Sequence, residues 1–175
     1  MLALARTRVE KKDPVAINFL AVTYRDGKLG LQKSERKAVE LWREAAELGS
    51  IEALHFLGYA FYEGKGVKVD KTKGVEFYKK AAMQGNVESR HNLGCHEGEN
   101  GNYDRAVKHL SISSKMGFPD SLEKIKALFM AGIVTKEQYA QTLRGYQGAV
   151  EEMKSHDRDV ANEIRKHGIL YKWQT

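Results

Sequence analysis

The chain repeats itself at an interval of 36 or 37 residues, and this repetition limits the possible folds more than any other feature. Residues 37–46 (KAVELWREAA) return as residues 73–82 (KGVEFYKKAA), and a glycine closes each stretch, at Gly49 and Gly85. A third, shorter return begins at Arg105 and closes at Gly117. Repeats of this length predict a solenoid, in which each unit buries its apolar face against its neighbours.

Each repeat has the pattern of two helices separated by a loop. In the second repeat, Ala53, Leu57, Ala60 and Phe61 recur at the spacing of one helical face. The segment 64–66 (GKG) ends that helix, because glycine adopts left-handed turns at little cost. Asp70 is placed to cap the next helix, whose inward residues are expected to be Val75, Tyr78, Ala81 and Ala82. The pattern therefore predicts an all-α chain of helix–turn–helix units.

The repeat boundaries divide the chain into six segments. They are an N-terminal extension 1–12, repeats 13–49, 50–85 and 86–117, a degenerate repeat with a capping helix 118–167, and a tail 168–175. In the fifth segment we expect helices over 120–131 and 136–144, then the capping helix over 149–167. That helix should turn four apolar residues inward, namely Val150, Met153, Val160 and Ile164. Aromatic residues of the tail, Tyr171 and Trp173, either pack on the last helix or anchor a partner.

Composition and charge exclude several classes of function. The net charge is +6, but the excess is spread along the chain, and its densest loop, 65–73, contains no aromatic residue. This argues against a nucleic-acid track. No apolar run approaches the ~20 residues of a membrane span, so no membrane partner is expected. Cys95 is the one cysteine, which excludes an internal disulfide and suits a reducing, intracellular and cytoplasmic location.

The first helix of each repeat is expected to line a concave groove. We take Leu20, Leu57 and Leu93 as the residues that point into the core. With 3.6 residues per helical turn, the positions two before, two after and five after each leucine should then face this groove. Glu52 and Glu88 should lie at its mouth. The predicted groove residues are Asn18, Val22, Arg25, Glu52, His55, Tyr59, Tyr62, Glu88, His91 and Cys95. Such a polar and aromatic surface suits a protein or peptide partner, while the alternative is that His55 and His91 are ordinary surface residues.

Metal, nucleophilic and phosphate-binding chemistries do not fit these residues. His91, Cys95 and His96 could suggest a metal site or a Cys–His nucleophile, but no oriented base, second shell or oxyanion site accompanies them. The Gly64–Gly66 loop has no preceding strand and no Lys-Ser/Thr ending, so it is not a phosphate loop. Residues 97–102 do not have the spacing of a calcium loop. We therefore expect no cofactor, no metal and no enzymatic activity.

The pattern A-x-x-x-L-G-x-x-Y-x-x-G-x-G-V-x-x-D-x-x-K-A-x-x-W/Y-x-x-A-A-x-x-G resembles the Sel1-like repeat family over about residues 13–158. The second repeat matches at nearly every position, from Ala53 to Gly85, and the first departs mainly in its loop, 27–31. Residues 89–106 and 121–147 look like a protist and algal subgroup whose members often carry a RING-type zinc finger ahead of the repeats. The finger's cysteines are not in this chain.

The resemblance implies a tetratricopeptide-like, right-handed α/α superhelix with a C-terminal capping helix. It also implies a scaffold or adaptor that binds a protein or peptide in its concave groove. Two alternatives remain open, a substrate-recognition segment of a ubiquitin-ligase assembly and an RNA-binding helical repeat. Steep salt dependence of binding would mark the RNA alternative.

Overall fold

The computed structural model describes the backbone of residues 2–166 and the side chains of residues 2–154, 159 and 160. Within this part all regular structure is helical. The helices are α1 (Leu2–Glu10), α2 (Pro14–Asp26), α3 (Glu35–Glu47), α4 (Ile51–Glu63), α5 (Lys71–Met83), α6 (Val87–Glu99), α7 (Tyr103–Lys115), α8 (Pro119–Met130) and α9 (Lys136–Lys166). The predicted all-α class is confirmed. The proposed roles of Tyr171 and Trp173, and the expected end of the last helix at residue 167, lie outside the described residues.

The chain divides into two compact units. The first, Met1–Asn102, contains α1 to α6, and the second, Tyr103–Thr175, contains α7 to α9. Among the described helices, none combines the length and the apolarity that crossing a membrane would require.

Short polar side chains begin the helices of the first unit, because the first backbone N–H groups of a helix have no partner within it. The predicted cap is confirmed, since Asp70 accepts a hydrogen bond from the Lys73 N–H. Equivalent caps are supplied by Asp13, Ser34, Ser50 and Asn86. Each of these side chains therefore sets the start of its helix.

Helix pairs in the first unit pack through the apolar positions that the repeat marks. The pair α2 and α3 and the pair α4 and α5 each form a hairpin, and α3 and α5 also contact the first helix of the next repeat. The anchors Leu20, Leu57 and Leu93 are all buried, as predicted. Trp42 is 2% exposed, and its ring stacks on Phe56 at a centroid distance of 4.9 Å. The core is thus shared between consecutive repeats.

Gly58 permits the close approach of α4 and α5. A Cβ atom at this position would lie 2.5 Å from the Tyr78 ring, closer than side chains can come. The bulky Tyr78 side chain, which is 3% exposed, fills the space that glycine leaves.

In the second unit, α9 is one continuous helix of 31 residues, so the predicted break between residues 144 and 149 is wrong. The predicted break contains two glycines, Gly145 and Gly148. In the structure Gly145 serves close packing, because a Cβ atom there would lie 2.6 Å from Cγ of Lys115 in α7. Glycine weakens a helix by only about 1 kcal/mol, which packing against α7 and α8 can offset.

The predicted inward stripe of the capping helix is also partly wrong. Met153 and Val160 are 47% and 42% exposed, and Val150 is half-buried. The side chain of Ile164 lies outside the described residues. The reason is length, since α7 and α8 have 13 and 12 residues and α9 has 31. At 1.5 Å per residue, α9 extends beyond both helices that it packs against.

Candidate functional site

The first helices of the three repeats, α2, α4 and α6, carry the residues that the sequence assigned to a binding groove. We call the side of these helices that bears them the first-helix face. Tyr59 is 39% exposed, and Glu52 and Glu88 are also exposed. The half-buried members of the predicted set are Asn18, Val22, Arg25, Tyr62, His91 and Cys95. His55 differs from the rest, because it is almost entirely buried.

His55 lies between α4 and α6 and not on the open surface that the sequence predicted. Its Nε2 lies 3.1 Å from a carboxylate oxygen of Glu88, and its Nδ1 lies 2.9 Å from Ser89 Oγ. A carboxylate can only accept, so the neutral ring carries its proton on Nε2, and the Ser89 hydroxyl donates to Nδ1. Burial lowers the pKa of His55, and the nearby charge of Glu88 opposes this only in part. His55 therefore connects two repeats as a neutral side chain.

His55 and Glu88 also form part of an open cleft of about 430 Å³ where α4 and α6 begin. Glu52 lies on the opposite side of this cleft. Both glutamates line this cleft, and their place at the mouth of a binding groove stays a prediction.

Tyr62 makes a second polar connection between α4 and α6, seven residues or about two helical turns beyond His55. Its hydroxyl donates to a carboxylate oxygen of Glu99 at 2.9 Å and lies 3.1 Å from His96 Nδ1. Burial, and the hydrogen bond to Glu99, raise the pKa of Tyr62 to about 12. The phenol therefore remains protonated and holds the ends of the two helices together.

A cleft of about 540 Å³ opens where α2 ends and α4 ends, and we call it the cationic cleft. Its charged lining residues are Arg25, Asp26, Lys28, Lys33, Glu35 and Lys65. Asp26 pairs with both Arg25, at 2.7 Å, and Lys28, at 2.9 Å, and these contacts hold the pKa of the Asp26 carboxyl well below its usual range. The Arg25 guanidinium also lies over the Phe56 ring at 5.1 Å, which fixes the side chain across α2 and α4. Four cations face two acids, so the cleft has an excess of positive charge.

A smaller cleft of about 170 Å³ lies between the ends of α4 and α6, and we call it the tyrosine cleft. Its lining includes Tyr59, Tyr62, Glu63, Tyr78, Asn92 and Glu99. The Tyr78 hydroxyl is hydrogen-bonded to the side chain of Asn92, and burial raises the pKa of Tyr78. Tyr59 lines both clefts, so they are adjacent on the first-helix face.

Cys95 and His91 lie together on α6, with Sγ 3.4 Å from Nε2 of the imidazole. The tyrosine cleft includes Cys95 and His96. In the part of the chain that the structure describes, no group of three or more His, Cys, Asp or Glu side chains is arranged to hold a metal ion. What the first-helix face offers is therefore charged, phenolic and amide groups beside open clefts.

Sequence reasoning missed the charged residues at the ends of the first helices. Asp26, Glu63 and Glu99 are the last residues of α2, α4 and α6, and they follow one another at intervals of 37 and 36 residues. That regularity is visible in the sequence and could have identified both clefts. It was missed because the prediction stepped only five residues past each leucine anchor, and the acids lie six residues past it.

The family model that matches the chain is the Sel1 repeat, at residues 14–50, 51–86 and 87–118. These matches cover more than half of the chain. Among curated proteins no relative matches significantly.

Solved structures share the fold at low sequence identity. A Sel1 repeat protein from Oxalobacter formigenes matches with a TM-score of 0.72 and 21% identity over 86% of this chain and 63% of that one. The protein c5321, a protective antigen of uropathogenic Escherichia coli with an SLR fold, matches with a TM-score of 0.54 and 22% identity over 86% of this chain and 41% of that one. MamA matches with a TM-score of 0.53 and 17% identity over 90% of this chain and 89% of that one.

The chain thus spans less than two thirds of the first two of these structures. The repeat solenoid expected from the sequence is confirmed by the family model and by these structures together. The link to a protist and algal subgroup with RING-type fingers is supported by neither. The chain belongs to the Sel1 repeat family.

Proposed function

We propose that this chain is an interaction scaffold that binds a segment of a partner protein on its first-helix face. Sel1 repeats generally mediate protein–protein interactions, and Sel1 repeat proteins are typically non-catalytic scaffolds. The observation that carries the proposal is Tyr59, which is 39% exposed and lies at the junction of two clefts. Tyrosine is enriched at the centres of protein interfaces, because it offers a large rigid surface and a polar end.

The lining of the cationic cleft favours a protein partner over a small organic ligand. Small-molecule sites are mostly apolar, with a few polar groups, and they enclose most of the ligand. Six of the eight residues around this cleft are charged, and the side chains of Lys28 and Lys33 are 71% and 66% exposed. An open, charged surface of this kind is typical of the polar part of a protein interface.

The two alternatives from the sequence have less support. Four basic side chains in the cationic cleft could contact phosphates, but Asp26 and Glu35 lie among them, and a phosphate track would not place acids there. A substrate-recognition role in a ubiquitin-ligase assembly would use the same first-helix face. It differs from the scaffold proposal only in which protein is bound. The intracellular, cytoplasmic location expected from the single cysteine also remains a proposal.

Site-specific photo-crosslinking in cells tests the proposal. A photoreactive amino acid replaces Tyr59 in one variant and Met83 in the control. Met83 suits the control because it is 84% exposed and ends α5, a second helix of the repeat. Crosslinked products are compared with and without nuclease treatment and identified by mass spectrometry.

We expect discrete protein adducts from position 59 that resist nuclease and are missing from position 83. Equal adducts from both positions would mean that the first-helix face is not the binding surface. Adducts that disappear with nuclease would favour the RNA alternative and reject the proposal.

A further inference from the structure

The first helices of the three repeats all end in an acidic residue, but its surroundings differ from repeat to repeat. The three residues are Asp26, Glu63 and Glu99. A negative charge is unfavourable at a helix C-terminus, because the backbone carbonyls there already carry partial negative charge. Each acidic residue should therefore be paired with a cation, unless its negative charge is needed for another purpose such as binding.

In the first repeat that compensation is present. Asp26 is paired with Arg25 and Lys28, so its charge is neutralised within the repeat. Lys33 and Lys65 complete the lining, and only Glu35, at 3.9 Å from Lys33, opposes them. Lys65 is exposed and makes no ion pair with any described residue, so its positive charge is accessible to a partner.

In the second and third repeats the compensation is missing. Tyr62 occupies the position of Arg25, and neither Glu63 nor Glu99 forms an ion pair with a described residue. Both carboxylates line the tyrosine cleft, together with three tyrosine side chains. The ammonium group of Lys71 lies 4.7 Å from the centre of the Tyr62 ring, but Lys71 does not line the cleft. The tyrosine cleft is therefore acidic and aromatic, and apart from the imidazole of His96 its lining contains no basic side chain.

We infer that the first-helix face binds a partner segment that carries an acidic side chain over the cationic cleft and a lysine or arginine side chain in the tyrosine cleft. The inference rests on the proposed function and adds the chemistry of the partner. The partner's carboxylate meets Lys33 and Lys65, which are exposed and incompletely paired. Its ammonium or guanidinium group meets Glu63 and Glu99 and lies against tyrosine rings, which attract cations.

The tyrosine cleft is of a size for one side chain and not for a whole ligand. Its volume of about 170 Å³ is below the roughly 300–1,000 Å³ of small-molecule sites. Because Tyr59 separates the two clefts, the acidic and basic residues of the partner must follow each other in a fixed order. Complementary charges of this kind determine specificity and register more than total affinity.

Selection from a display library of random 12-residue peptides tests the inference with the full chain. The selected peptides are then measured against Lys65→Glu and Glu63→Lys variants. Matched controls are Lys79→Glu and Glu47→Lys, because both residues are exposed and lie outside the two clefts. Glu47 also ends a helix, as Glu63 does, so the two glutamate substitutions have the same local effect.

We expect enriched peptides to contain an acidic and a basic residue in one order. Lys65→Glu should weaken their binding about tenfold, and amidation of the peptide's acid should abolish that difference. Glu63→Lys should do the same for the peptide's basic residue, and the controls should bind like the native chain.

Peptides that depend on Tyr59 but show no charge order, or only one of the two charges, would overturn the inference and leave the proposed function standing. No peptide that depends on Tyr59 would count against the proposed function itself. Binding of a single-stranded 12-mer RNA that is lost with Lys65→Glu, with no peptide selected, would overturn both.

Discussion

The imidazole Nδ1 of His55 lies 2.9 Å from the hydroxyl of Ser89, one repeat further along the chain. Ser89 is completely buried and stands where the two earlier repeats have Ala16 and Ala53. The hydroxyl is thus an addition to the repeat at a position where alanine also fits. The Ser89 hydroxyl, in the third repeat, donates a hydrogen bond to Nδ1 of the buried His55 ring in the second repeat. Without this hydroxyl, that hydrogen bond would be missing.

Replacing Ser89 with alanine should destabilise the chain without disturbing its packing. The substitution leaves the acceptor Nδ1 of His55 buried and unpaired, so the free energy of unfolding should fall by about 1–2 kcal/mol. Urea unfolding, followed by circular dichroism, measures the change. The control is Thr72→Ala, an exposed position of α5 that should change stability by less than about 0.5 kcal/mol. An unchanged midpoint for Ser89→Ala would show that the hydrogen bond contributes nothing.

Stability should also depend on the charge of His55. Its pKa in the folded chain is lowered by burial, so the unfolded chain binds the proton more readily. The contribution of His55 is therefore complete above the unfolded value of about 6.5 and is lost as the pH falls through the lower folded value. We expect the stability difference between the native chain and His55→Gln to shrink as the pH is lowered from 7.5 to 5.

The pKa of His55 can be measured directly by following its ring nitrogens in an NMR titration. Removing the opposing charge with Glu88→Gln should lower this pKa further, since Glu88 favours the protonated ring. A measured pKa at or above 6.5 in the native chain would contradict the buried, neutral histidine.

Two glycine-to-alanine substitutions should act in opposite directions. Gly58→Ala forces a Cβ atom to 2.5 Å from the Tyr78 ring, so α4 and α5 must separate, at a cost of about 1–3 kcal/mol. Gly148 is also helical, but nothing lies within 4 Å of a Cβ atom there. Gly148→Ala should stabilise α9 by about 0.5–1 kcal/mol. Thermal unfolding of both variants checks the pair, and a stabilising Gly58→Ala would disprove the close contact.

The sequence was sufficient to predict the helices of the repeats, because their caps and buried leucines recur at a fixed spacing. It could not predict how deep a residue lies on a helical face. His55 has the phase of a groove residue, but the rings of Phe56 and Tyr78 lie 5.4 and 5.8 Å from its own and enclose it. Depth depends on the size of side chains in the neighbouring helices, which periodicity does not contain.

The dependence on neighbouring helices also explains why the sequence wrongly predicted a break in α9. A glycine can end a helix or can let another helix approach, and the local sequence is the same in both cases. Which of the two applies to Gly145 is decided by Lys115, 30 residues away in α7. The ion pairs of the cationic cleft were also missed because they depend on tertiary structure. The pairing of Asp26 with Lys28 becomes evident only when the conformation of the loop after α2 is known.

Tyr59 should contribute most to partner binding among the residues of the first-helix face. For a peptide selected as above, Tyr59→Ala should raise the dissociation constant roughly 30-fold, which is equivalent to about 2 kcal/mol of binding free energy. A loss of this size is expected for an aromatic residue at the centre of an interface. Tyr59→Phe retains the ring and should weaken binding less than about threefold. Val22→Ala, at the equivalent position of the first repeat, is the control and should have a small effect, because valine provides far less contact area. Calorimetric titration gives all four constants. Equal losses for Tyr59→Ala and Val22→Ala would mean that binding is not centred between the two clefts.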